Sequence, residues 1–145
     1  MFKRLLIATD GSELAGSGVA RGLALAKQLG AQAVVVTATE PWTAMTNGEG
    51  FAFDFPIEEY ETAAAKHAEE VLAKVREEGR QAGVKCDTVH VNDFPAEAIL
   101  ATAKAKGCDL IVMASHGRRG LSRLLLGSQA TRVVTLSTVP VLVCR

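Results

Sequence analysis

Five short apolar runs, each closed by a turn signal, alternate along this chain with stretches whose apolar residues recur at helical spacing, and that alternation leaves few folds open. Residues 5–8 run into Thr9-Asp10-Gly11-Ser12, and Ala33-Val34-Val35-Val36-Thr37-Ala38 follows Gly30. Residues 88–91, 109–114 and 140–144 complete the set. Runs that are apolar at nearly every position, rather than every second one, suit strands buried on both faces, the condition of a parallel sheet covered by helices. Between them, Val19, Leu23, Ala26 and Leu29 mark one side of a helix that starts at Glu13. Tyr60, Ala64, Ala68, Val71 and Val75 mark a second over residues 57–82, with Glu58, Glu59 and Glu61 at the end where the helix dipole favours acids. Shorter helices are expected at 96–105, after Pro95 at a first helical position, and at 128–137. The prediction is one α/β domain over residues 1–145: a three-layer sandwich around a parallel sheet of about five strands, with right-handed crossovers.

Charge narrows the choice of ligand. Lys and Arg number 16, as do Asp and Glu, and a balanced chain lacks the basic excess that general nucleic-acid binding draws on. The balance is uneven along the chain. Residues 110–145 hold Arg118, Arg119, Arg123, Arg132 and Arg145 and no acid, so positive potential gathers in the last quarter and points to an anionic ligand. Cys86, Cys108 and Cys144 are odd in number and widely spaced, which fits small buried residues in a reducing compartment better than disulfides or a metal site. No apolar stretch approaches the ~20 residues of a membrane span, and the start has no secretory core. A cytoplasmic chain with no membrane and no nucleic-acid partner is expected.

In open α/β sheets ligands sit beyond the carboxyl ends of the strands, so the loops after strands one, two and four are where a site is sought. The loop after strand four, Ser115-His116-Gly117-Arg118-Arg119-Gly120-Leu121-Ser122-Arg123-Leu124-Leu125-Leu126-Gly127, far exceeds the ~2–6 residues usual for such connections. Its glycines allow backbone N–H groups to come close to a ligand, and Gly127-Ser128 stands where the next helix opens its unpaired amides. These are phosphate-binding parts. They are not a Walker A loop, which needs a lysine before the hydroxyl residue.

Gly117, nine residues, then Gly127-Ser128, with Pro140-Val141-Leu142-Val143 after it and Leu6-Ile7-Ala8-Thr9-Asp10-Gly11-Ser12 at the start, resembles the universal stress protein family over the whole chain. Nucleotide-binding members of that family carry G-x-x-G, nine residues, then G-[ST], and Ala114 stands here in place of the first glycine. The resemblance implies an adenine nucleotide alpha hydrolase-like sheet of order 3-2-1-4-5 and an ATP (or AMP) ligand with Mg. By position it assigns Asp10 to the ribose or to the metal, and the backbone at Ala38 to adenine. Gly117, Gly127, Ser128 and Gln129 then hold phosphates, with Ala8, Thr9, Met113, Ser115, His116, Arg118 and Arg119 lining the site. It also implies a homodimer through the last strand, which an apolar sheet edge independently invites.

Each of these residues has a plainer reading. Asp10 and Ser12 serve equally as helix caps, as does Ser128. Any one arginine serves as well at the surface. His116 has no nucleophile in a recognisable arrangement, and His67 and His90 receive no role. No catalytic constellation emerges. Residues 41–56 gather Trp42, Phe51, Phe53 and Phe55, read as a loop tucked on the core, as a nucleotide lid or as a partner contact. The function expected is an ATP-binding stress-response sensor or regulator, at most slowly hydrolytic. The other reading is a family member that works as a protein-interaction module without nucleotide.

Overall fold

A computed structural model describes residues 1–42, 56–117 and 126–145. The chain runs β1 (Arg4–Ala8), α1 (Glu13–Leu29), β2 (Gln32–Thr39), α2 (Ile57–Ala82), β3 (Cys86–Asn92), α3 (Pro95–Ala105), β4 (Leu110–Ala114), α4 (Ser128–Leu136) and β5 (Val141–Cys144). All strand pairs are parallel, in the order β3-β2-β1-β4-β5, with Ile7 beside both Val35 and Val112.

The unbroken apolar strands are explained by the two cores they feed. Leu5, Ile7, Ala33, Val35, Leu110 and Val112 face α1 and α2, where Val19, Leu23, Leu72 and Val75 meet them. Leu6, Val34, Val36, Ile111 and Met113 face α3 and α4, against Ala96, Ile99, Ala130 and Val133. Alternate residues of one strand thus belong to opposite layers, and each buried Leu, Ile or Val side chain contributes about 1.5–3 kcal/mol. Gly30 ends α1 in the left-handed conformation (φ 65°), which only glycine adopts without strain.

Several sequence expectations shift. Leu29, placed on the inner side of α1, is 40% exposed. In α2 the buried face is Ala68, Leu72, Val75 and Gly79, whereas Tyr60 and Ala64 lie beyond the core. At about 1.5 Å per residue this 26-residue helix outruns the strands, so its first turns overhang the sheet. Asp109 precedes β4 rather than joining it, and its carboxylate accepts the backbone N–H groups of Lys3 (2.9 Å) and Arg4 (3.1 Å). Desolvation pushes that carboxyl up, but these two amides, its own backbone N–H and the N-terminal charge together hold it below the ordinary range. The last helix starts after Gly127 as N-cap, with no side chain capping it, so Ser128 is its first residue and not its cap.

Candidate functional site

The crevice follows from strand lengths. β1 stops at Ala8 opposite Val36, while β2 continues three residues to Thr39. Thr9 N–H donates to the Val36 carbonyl (3.0 Å), so that carbonyl faces β1; two residues on, Ala38 turns its own N–H and C=O the same way, past the end of β1. Beyond this edge, where the chain crosses from β2 and β3 to β4, lies a cavity of about 710 Å³. Ala8, Thr9, Asp10, Ala38, Met113, Ser115, His116, Gly117, Gly127, Ser128 and Gln129 all line it. Arg118, Arg119 and Arg123, with the Phe51, Phe53 and Phe55 cluster, lie outside the described residues.

Local bonding sorts the double readings. Ser12 caps α1, its Oγ accepting from Ala15 N–H (3.3 Å). Asp10 does not cap: its Oδ1 accepts from Ser12 N–H (2.9 Å), and a Cβ at Gly117 would come within 2.7 Å of its Oδ2. With a larger residue at 117 the Asp10 carboxylate would have to turn aside. Gly127 is needed for the same kind of reason, since its N–H donates to the Ser115 carbonyl at 2.8 Å and a Cβ there would meet that same oxygen at 2.8 Å. Ser115 N–H in turn donates to Cys144 (2.7 Å), so the end of β4, the end of β5 and the start of α4 are stitched together. Past this stitch open the first-turn amides of α4, a helix with no acid in that turn.

Two side chains act in ways the spacing did not show. Gln129 accepts the Ala96 N–H at its Oε1 (3.0 Å), tying α4 to the first turn of α3. His116 is buried. Its Nδ1 lies 3.0 Å from Ser115 Oγ, while Nε2, also buried, has no hydrogen-bond partner among the described residues. Leaving such an atom unsatisfied costs about 1–3 kcal/mol. Ala114 raises no strain, because it sits in extended backbone within β4, but it lines the cavity and places a methyl group there.

The overhanging turns of α2 supply residues that sequence reasoning missed. Tyr60, Ala64 and Ala68, the first part of the helically spaced row, line the cavity together with His67 and Thr39. Tyr60 donates its hydroxyl to the Glu40 carbonyl (2.8 Å), and its ring meets Trp42 at 5.2 Å between centroids. Burial first, and then the Glu40 charge, raise its phenol above the ordinary value. His90 Nε2 lies 2.8 Å from Thr39 Oγ1. The helical spacing of 60, 64 and 68 was visible, but that it passes the end of the sheet depends on where β2 stops.

The universal stress protein family model matches residues 1–145. The chain belongs to the universal stress protein family. It is 33% identical to universal stress protein YxiE of Bacillus subtilis and 37% identical to a universal stress protein of Thermus aquaticus, in both cases over the full length of each chain. Among solved structures, hypothetical protein MJ0577, named in its sequence match as a universal stress protein of Methanocaldococcus jannaschii, aligns with a TM-score of 0.84 at 27% identity, covering 99% of this chain and 96% of that one. UspA of Lactobacillus plantarum aligns at 0.86 and 21% identity, covering 99% and 98%. A universal stress protein in complex with cAMP aligns at 0.71 and 21% identity, over 99% and 97% of the two chains.

The residues present fit a nucleotide. Glycines at 117 and 127 leave room beside Asp10 and Ser115, and the first-turn residues of α4 line the gap. For a metal the chain offers less: among the described residues no group of three or more His, Cys, Asp or Glu side chains could hold an ion. Mg²⁺ fits here only as a companion of phosphates, with Asp10 as the protein carboxylate. No helix of the described residues is long and apolar enough to cross a membrane.

Proposed function

We propose that this universal stress protein binds an adenine nucleotide, ATP with Mg²⁺ in the first instance, and acts as a sensor or regulator in the stress response. The observation that carries this is the first turn of α4, which no side chain caps and whose residues line, after Gly127, the same cavity as Asp10 and Gly117. Phosphates fit the α4 amides, the ribose hydroxyls fit the Asp10 carboxylate, and the base fits the N–H and C=O of Ala38. That chains of the same fold have been obtained with cAMP and with dAMP makes adenylates the proper probes. Mg²⁺, when bound, neutralises phosphate charge beside Asp10. Turnover is expected to be slow, since the sequence supplies no P-loop lysine and no evident water-positioning base.

Calorimetry of the protein with ATP and Mg²⁺ tests this directly. Saturable binding, with a rise in melting temperature, is expected. Absence of both heat and thermal shift with ATP and with AMP at millimolar concentration would return the chain to the other reading, an interaction module without nucleotide, which the Ala114 methyl in the cavity favours.

A homodimer is part of the same proposal. β5 lies at the edge of the sheet, and Leu142 on it is exposed, as are Val134 and Leu136 of the adjoining helix α4. Pairing of two β5 edges about a twofold axis satisfies their outer backbone groups. Sedimentation equilibrium is expected to give twice the chain mass, and a monomer at tens of micromolar would remove this element.

A further inference from the structure

We infer that Tyr60 is a positioning residue for the base: its hydroxyl holds the end of β2 where Ala38 can meet adenine, and this rests on the nucleotide reading above. Past Ala8, β1 no longer runs beside β2, so the segment from Ala38 to Glu40 has to be held from other directions. The sheet supplies one hold. Ala38 stands beside Val91 of β3, the Thr39 carbonyl accepts Asp93 N–H (3.0 Å), and Thr39 Oγ1 lies 2.8 Å from His90 Nε2. Helix α2 supplies another. Tyr60 donates its hydroxyl to the Glu40 carbonyl at 2.8 Å, two residues beyond Ala38, and its ring meets Trp42. Burial and the Glu40 charge both raise the phenol, so at neutral pH it remains a protonated donor. Tyr60 is only partly buried, and with Thr39, Glu40 and Ala64 it lines the same cavity as Ala38. A strand end fixed in this way presents its N–H and C=O as a preorganised pair, and such a pair discriminates between bases. Adenine offers an acceptor at ring N1 beside its amino donor. Guanine offers the reverse, a ring N–H beside a carbonyl, and meets the same backbone donor to donor and acceptor to acceptor.

Tyr60→Phe keeps the ring against Trp42, removes the hydroxyl and leaves the glycine loop and α4 as they are. Calorimetry with Mg-ATP and with Mg-GTP separates the base from the phosphates, which the two nucleotides share. Wild type is expected to prefer ATP. The variant is expected to bind ATP about fivefold more weakly, the size of one hydrogen bond, and GTP as before, so the preference narrows. A tyrosine that only supported the fold would lower both affinities alike. A second readout needs no substitution: Trp42 is the one tryptophan of the chain, its ring centroid is 5.2 Å from that of Tyr60, and its emission is expected to shift when ATP is added. Equal losses for ATP and GTP, unchanged ATP affinity in Tyr60→Phe, a wild type that binds ATP and GTP alike, or Trp42 emission that saturating ATP leaves in place overturns the role of Tyr60 while the nucleotide site stands. A wild type that binds neither ATP nor AMP instead overturns the nucleotide reading itself.

Discussion

Gly127→Val is expected to abolish ATP binding, weakening it at least about a hundredfold in calorimetry, while the variant still folds. Valine suits the backbone at this position, which is extended (φ −60°, ψ 155°), so the effect is steric and not conformational. Its Cβ would lie 2.8 Å from the Ser115 carbonyl oxygen and 3.3 Å from His116 Cα, both parts of the backbone that cannot swing aside. The start of α4 must move away from the end of β4, breaking the 2.8 Å bond between Gly127 N–H and Ser115. Displacing two amides from a charged phosphate forfeits about 3 kcal/mol, which is the hundredfold. The anchor of α4 lies deeper, at Ala130 and Val133 in the α3-side core, so secondary structure by circular dichroism should survive. A folded variant that binds like wild type would show that phosphates do not sit on this turn.

What was legible beforehand followed from local chemistry. The sheet could be read because strands such as Leu110–Ala114 are apolar at every position, a pattern that demands a layer on each face, and Leu110 and Ile111 do enter opposite cores. The glycine loop could be read because close approach to phosphate and a helix start leave marks in residue type. Roles that depend on distant neighbours left none. Gln129 meets an amide 33 positions away, and Asp109 one more than a hundred positions away. His116 bonds to its immediate neighbour, yet only the burial of its other nitrogen marks it out. The spacing of Tyr60 matched Ala64 and Ala68 but did not say what the row meets; where β2 ends decides that this part of the stripe faces a cavity. The last helix starts at Ser128 as its spacing suggested, with Gly127 as the N-cap, which removes the capping reading of Ser128.

The other large effect is expected in the opposite half of the molecule, at Gly22, where α1 crosses the sheet. A Cβ there would stand 2.8 Å from Ile7 Cδ1, 2.9 Å from Ile7 Cγ1 and 3.4 Å from Val112 Cγ1. Alanine in a helix interior gains about 1 kcal/mol over glycine, yet Ile7 and Val112 have no exposed surface, and overpacking a filled core costs about 1–3 kcal/mol. The steric cost wins. Gly22→Ala should lower the urea midpoint modestly, and Gly22→Leu should cost about 4 kcal/mol or more, a large part of the ~5–15 kcal/mol that holds a domain folded. The cause can be isolated with a double-mutant cycle. Ile7→Val alone costs about 0.5–1.5 kcal/mol, but it removes the Cδ1 atom that alanine strikes. Combined with Gly22→Ala it should therefore be more stable than the two single effects predict, by about 1 kcal/mol. Strict additivity, or a Gly22→Ala protein that resists urea better than wild type, would mean that α1 rides higher on the sheet than these distances require.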